Sequence, residues 1–503
     1  MVTTAYRPQA HAERLPSQSR RIIGTLLVAA FVVILNETIM GVALPRLMTD
    51  LGVTARTGQW LTTAFMLTMA IVIPTTGFLL QRLSTRTVFG LAMGLFSAGT
   101  LLAAVSPGFW LLLLARIIQA SGTAVMIPLL MTTVLTLVPV ERRGVVMGNI
   151  SIAISVAPAI GPTISGLVLQ FLSWRFMFVL VLPIALAALA YGLRTLTDIG
   201  EAGQQKLDLV SVLLSVPAFG GIVYGLSQLG QESAASMSVA VGSLVVGVVC
   251  LLAFGVRQRR LVRREASPLL DLRPFGYRMF SLSLALLCVA MLSLFGMIIL
   301  LPIYLQNVRG IDSLTTGLML LPGGLLMGLL GPTVGKLFDR YGPKALTTGG
   351  AAVLTFTMWR FSTVDATTPL WLLVGLHVLM MVALACLFTP SFTTALNPLP
   401  PYLYSHGSAI LATLQQVAGA AGAALLVAIM VSRTATLIEA GQPELTALNG
   451  GLNLSFLVAA AVSVGAIVLA AFMRNPKPEP AGPEHSTDDL DVEVGTPDRA
   501  VQA

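Results

Sequence analysis

Apolar residues along this chain come in long, nearly unbroken runs, each about as long as a helix needs to cross a bilayer. The runs fall near 22–45, 58–80, 87–107, 109–137, 145–170, 175–194, 208–229, 235–256, 279–304, 314–337, 344–361, 369–393, 407–432 and 452–473. The pattern predicts fourteen spanning helices and an all-α polytopic membrane protein, with both termini on one face. The first run is too long for a signal peptide and lacks a small-residue cleavage site, so it reads as a retained helix. Residues 1–21 form a polar N-terminal tail. Residues 474–503, rich in Pro, Asp and Glu, read as a disordered tail.

Composition agrees with the runs. Of 503 residues, 55% are hydrophobic and 10% charged, which excludes an ordinary soluble domain. The net charge of +8 does not point to nucleic acid, because the basic residues sit in alternate short loops. Twenty-three of the 30 Lys and Arg fall on the side of the termini, and Arg116 is the one placed inside a run. By the positive-inside rule that side is cytoplasmic, which makes the chain a multi-pass protein of the plasma (inner) membrane. The segment from Arg257 to Arg278 holds seven arginines. It reads as an orientation anchor or as a contact for anionic lipid. Cys250, Cys288 and Cys386 lie in apolar runs, which argues against disulfides and against a metal site. No phosphate-binding loop and no nucleophile–base set is present, so neither ATP-driven export nor an enzyme is expected, and no cofactor.

Chemistry concentrates in the first run, at Asn36-Glu37-Thr38. An ionisable side chain in a spanning helix costs a few kcal/mol or more and normally faces a protein interior or a wet cavity. Glu37 is therefore the leading proton carrier, against the alternative of a buried acid paired with a polar neighbour. Arg116 and Gln119 share a helix face at a spacing of three. From the residues alone, Arg116 reads as fixing packing through backbone carbonyls. His377 is either a packing residue or a second proton relay. Asn36, Thr38, Gln59, Trp60, Gln119, Gln306, Gln415 and Gln416 are candidate polar lining. Met126, Met131, Met291, Met297 and Phe295 are candidates for an adaptable apolar pocket, since Met tolerates many shapes.

The chain also repeats itself. Gly77-Phe-Leu-Leu-Gln81-Arg82-Leu-Ser84-Thr-Arg86 follows the second run, and Gly335-Lys336-Leu-Phe-Asp339-Arg340-Tyr-Gly342-Pro-Lys344 follows the tenth. Both resemble the helix 2–3 signature of the major facilitator superfamily, Gly-x-Leu-x-Asp-Arg-x-Gly-x-Arg/Lys. In that signature the acid and bases hold helix ends together in one state. The first copy has Gln81 for the usual Asp and Ser84 for the usual Gly. A twelve-helix fold would match helix 2 with helix 8. The match to helix 10 implies two six-helix bundles, 22–194 and 279–473, with an inserted pair in 195–278.

Three further stretches are similar to the fourteen-helix drug–proton antiporters of that superfamily. Leu35-Asn-Glu-Thr38 through Ala43-Leu44-Pro45 resembles the helix 1 signature, with Asn36 at the usual Asp and the acid one residue on. One step on a helix turns about 100°, so Glu37 faces elsewhere unless the helix rotates. The Leu-Asn-Glu-Thr form resembles the lincomycin-resistance-like branch. Arg116-Ile-Ile-Gln119-Ala-Ser-Gly122 resembles the helix 4 motif, and the resemblance implies a role for Arg116 in proton coupling. Ala157-Pro158-Ala-Ile-Gly161-Pro162-Thr-Ile-Ser165-Gly166 resembles the helix 5 antiporter motif, although an ordinary packing kink would use the same residues.

The resemblance implies alternating access by two rocking halves, with protons exchanged for an amphipathic small molecule, in a protein active as a monomer within membrane lipid. Two other functions fit the sequence. One is export of an endogenous lipid or metabolite. The other is a non-transporting receptor or scaffold, which the embedded Glu37 and Arg116 disfavour.

Overall fold

The computed structural model describes residues 16–198, 208–228 and 234–474, so nearly all of both tails lies outside the described residues. Fourteen long helices account for most of it. The first six are α1 (Ser17–Leu51), α2 (Ala55–Arg82), α3 (Thr85–Ala104), α4 (Phe109–Leu137), α5 (Arg143–Phe171) and α6 (Arg175–Thr195). Next come α7 (Leu209–Gln228) and α8 (Ala234–Arg263). The last six are α9 (Arg278–Ile303), α10 (Ser313–Tyr341), α11 (Pro343–Phe361), α12 (Leu370–Leu396), α13 (Tyr404–Glu439) and α14 (Glu444–Ala471).

Thirteen of these are long and apolar enough to cross a membrane. The exception is α11, which is rich in Thr and Gly and packs between α12 and α14. All fourteen predicted runs correspond to helices, but several helices outrun them. α8 continues past its apolar run to Arg263, α13 runs from Tyr404 to Glu439, and α14 begins at Glu444. Polar ends of this kind carry no hydropathy signal.

The helices form two bundles and a pair. α1 to α6 pack on one another, as do α9 to α14. α7 and α8 pack together, and α7 also lies against α2 and α13. α8 is the least buried span and turns Val241, Val245, Val249 and Leu252 outward, as a lipid-facing helix does. Asp208 and Arg257 tie the start of α7 to the end of α8 at 2.7 Å. Hydrogen bonds from Arg257, helped by the Ser211 hydroxyl, hold the Asp208 carboxyl down at about 2 from its ordinary 3.8.

The two bundles meet along two seams, α5 with α10 and α2 with α13. Both seams are closed at the end where α1 begins, called here the basic end. On α5 and α10 the closure is main chain against main chain. A side chain on Gly148 would strike the Gly331 carbonyl, and one on Gly335 would strike the Gly144 carbonyl. Ser151 and Thr389 hydroxyls bond across the centre of the interface at 2.8 Å. Beyond the seam, α10 ends at Gly342, whose φ of 77° suits glycine and turns the chain into α11.

Two outcomes follow. Gly148→Ala should wedge the α5–α10 seam and destabilise the closed form by about 1–3 kcal/mol. That is read as faster maleimide labelling of a Ser151→Cys reporter from the basic face, and unchanged labelling would refute it. The Asp208–Arg257 contribution to stability should be complete above pH about 4. It should fade as the pH falls toward about 2, whereas Asp208→Asn should be flat over that window in acid-unfolding curves.

Candidate functional site

The centre of the first bundle is built around Arg116. Its side chain is 1% exposed, about two turns into α4. Nη1 donates to Gln119 Oε1 at 2.5 Å and to Asn36 Oδ1 at 3.3 Å. Gln119 passes the bond on, donating to the Thr100 hydroxyl at 2.8 Å on α3. The guanidinium lies over the Phe65 ring of α2 at 4.0 Å, a contact of real strength when desolvated. Four helices thus converge on one cation, and each of its hydrogen-bond partners among the described residues is neutral. Nε has no partner among the described residues.

Glu37 sits one residue past Asn36 and is half-buried. Arg116 is near enough for the two charges to interact, yet no described residue forms an ion pair or hydrogen bond with the Glu37 carboxylate. The next residue, Thr38, turns to α5. Its hydroxyl donates to Leu35 O at 3.0 Å on its own helix and lies 3.5 Å from Ala157 O. A side chain on Gly161 would run into it. Asn36 therefore faces α4, Thr38 faces α5, and Glu37 projects between them. The one-residue shift of the acid matters: the amide took the place beside Arg116 and the carboxylate was left over.

The remaining candidates are scattered. His377 lies on α12 against Gly323 of α10, in apolar surroundings formed by Leu301, Leu305, Met319, Leu320, Leu373 and Val374. Its Nδ1 is unpartnered. Trp60 stacks on Tyr224 of α7 at 5.8 Å. Phe295 packs on Gly419. Gln415 bonds back to Leu411 O at 3.0 Å, and Gln416 Nε2 is buried without a partner. Gln306 lies in the π-turn after α9. Met126, Met131 and Met297 are core residues. The side chains of Gln59 and Pro162 lie outside the described residues. Pro158 is half-buried on α5, and Gly166 has open space beside it.

At the basic end the two repeat copies behave differently. Asp339 accepts from Val145 N at 3.1 Å, so it caps the first turn of α5 across the seam. In the first copy, Gln81 donates to Tyr402 O at 2.8 Å across the other seam. Ser84 caps α3 by accepting from Thr87 N at 3.3 Å. Arg82 lies 6.0 Å over Phe78, and Arg340 lies 5.3 Å over Tyr341. Arg86 is exposed.

Several residues were missed by sequence reading. Arg143, counted there as a loop residue, is buried and donates to Leu135 O, Val138 O, Asn397 Oδ1 and the Tyr404 hydroxyl at 2.7, 3.1, 3.1 and 3.1 Å. Arg116 is thus not the only embedded arginine. His406, placed outside helix 13, is 2% exposed in its first turn. A narrow central gap lies between the bundles, lined by Ser151, Ile154, Ser155, Met291, Met327, Ala385, Phe388 and Phe392. Only Met291 of these was anticipated. Ser155 Oγ is unpartnered, and no lining residue is charged.

Two bundles with a central gap, closed at one end by helix-end contacts, are the arrangement of an alternating-access carrier. Residues 26–423 match the family described as Major Facilitator Superfamily. The chain belongs to the major facilitator superfamily. It is a multi-pass membrane transporter. It is 39% identical to the "Lincomycin resistance protein LmrB" of Bacillus subtilis over 463 residues, 91% of this chain and 96% of that one. It is equally similar to the "Uncharacterized MFS-type transporter YcnB" of the same organism, 39% over 466 residues, 92% of this chain and 97% of that one. The crystal structure of the human organic anion transporter MFSD10 (TETRAN) shares the fold. Its TM-score is 0.63 at 15% identity, over 90% of this transporter and 100% of that chain.

The Arg116 cluster yields a stability prediction. Gln119→Leu should leave a buried guanidinium N–H without its acceptor and the Thr100 oxygen without its donor, although that hydroxyl still donates to Phe96 O, and cost about 1–3 kcal/mol. Thermal unfolding of the detergent-solubilised transporter measures this, and an unshifted Tm would mean that another group takes over.

Proposed function

We propose that this transporter is a proton-coupled exporter of drugs or similar amphipathic small molecules, with Glu37 as the proton carrier. One observation carries the reading. Arg116 Nη1 bonds to the neutral amides of Asn36 and Gln119, and among the described residues the carboxylate next to it has no fixed partner. A carboxylate paired with a guanidinium holds its charge and gives up its proton for good. One without such a bond can load and unload a proton as water reaches it. The similarity to a lincomycin resistance protein supports the export of an antibiotic.

The cargo contacts lie apart from the acid. The central gap has Met and Phe walls and one free hydroxyl, Ser155, which suits an apolar molecule with a hydrogen-bonding group. Coupling then runs through the conformation of α1 and α5, where Thr38 meets Ala157, rather than through competition of proton and cargo for one charge. The basic end is cytoplasmic by its charge, so the closed seams face inward and the conformation described is one that releases to the outside. His377, in its apolar surroundings, serves packing.

The test is substrate-driven proton movement in proteoliposomes with lincomycin as cargo. The wild type should release protons on adding lincomycin, and Glu37→Gln should fall to background while still binding the drug. Coupling that survives in Glu37→Gln would remove the acid from the mechanism. Proton silence in both proteins would remove proton coupling altogether.

A further inference from the structure

The α7–α8 pair touches both bundles, and the kind of contact on each side tells which one it travels with. Between α8 and α9 the chain forms a strap, residues 268–277. Leu269, Leu270, Asp271 and Pro274 in it are as buried as core residues. Leu270 N donates to Gln258 Oε1 on α8 at 3.3 Å, and Gln258 Nε2 donates to Ser211 Oγ on α7 at 2.7 Å. The strap is thereby tied to the pair. Asp271 N donates to His406 Nδ1 on α13 at 3.3 Å. Ser281 on α9 donates to Phe275 O at 2.9 Å, and the Phe275 ring meets Phe280 edge-on at 5.8 Å. Arg273, fixed by Asp271 at 2.8 Å, lies 5.1 Å over Tyr402, just ahead of α13. Among the described residues, every hydrogen bond leaving the strap goes to the pair or to the second bundle.

The contact with the first bundle is of another kind. α7 meets α2 through Gly220 against Leu67 and Ile71, and through the stacked rings of Tyr224 and Trp60. No hydrogen bond joins α2 to α7 among the described residues. Sliding one apolar face over another leaves no polar group unpaired. Pulling the strap away would strand buried N–H groups of Leu270 and Asp271. Gly77 of α2 lies directly on the His406 ring, where a methyl group would sit 2.6 Å from Nδ1. Glycine at that position lets α2 move past the imidazole without dislodging it.

We infer that α7, α8 and the strap move with the second bundle, fastened through His406, and shear along α2 when the basic end opens. His406 is a positioning residue that holds the strap and touches no cargo. The inference rests on the alternating access of the proposed exporter, and it gives the inserted pair a mechanical place in that cycle.

Two disulfide pairs test it. Ile71→Cys with Gly220→Cys joins α2 to α7, and Gly225→Cys with Leu244→Cys joins α7 to α8. Lincomycin efflux from proteoliposomes is measured oxidised and after dithiothreitol. The first cross-link should slow efflux by about tenfold or more, reversibly, because it blocks a required motion. The second should leave it unchanged. Full efflux with α2 fixed to α7 would overturn the inference.

A second measurement does not depend on transport. Hydrogen exchange in the strap peptide should be slow in the wild type and faster in His406→Ala and in Gln258→Ala. Protection unchanged in both variants would overturn the inference even if no cargo is moved. Absence of efflux from the reduced proteins, with strap protection behaving as expected, would count against the exporter reading alone.

Discussion

A full positive charge buried in the middle of a membrane bundle is the constraint around which this transporter is arranged. Arg116 cannot shed its proton as a lysine can, so its surroundings must supply the stabilisation. They do so with two amides, a hydroxyl relay and an aromatic face drawn from α1, α2, α3 and α4. None of these groups is an acid, so the cluster's hydrogen bonds do not include the carboxylate of Glu37.

Much of this could be read from the chain alone. Fourteen apolar runs gave fourteen helices, because in a bilayer length and hydropathy leave a segment few alternatives. The face shared by Arg116 and Gln119 followed from their spacing of three, and the one-residue displacement of the acid followed from 100° per residue. What was not legible depended on contacts distant in sequence. Nothing local to Arg143 says that its partners are Asn397 and Tyr404, 254 and 261 residues away. Its position beside Glu141 and Arg142 in a polar stretch made it look like a loop residue. His406 was hidden for a related reason: α13 begins three residues before the apolar run does. The lining of the central gap comes from α5, α9, α10 and α12, and no periodicity on any one of them marks it.

The degenerate first repeat has a structural counterpart. With Gln81 in place of an acid, the α2–α13 seam has no carboxylate–helix cap of the sort that Asp339 gives the α5–α10 seam. It is closed by one amide bond to a carbonyl and by glycine on imidazole, and it carries the inserted pair and strap as an extra layer. The α5–α10 seam is closed by glycine backbones, with nothing beyond it. Similar halves have thus reached closure by different chemistry on their two sides.

That asymmetry sets how the molecule meets its solvent. Along α2 and α13 another helix layer stands between the seam and the acyl chains. Along α5 and α10, Leu167, Phe171, Leu318 and Leu329 face them directly. The carrier is therefore one-sided toward the bilayer: the flank at α5 and α10 meets it bare, and the flank at α2 and α13 meets it through the α7–α8 pair.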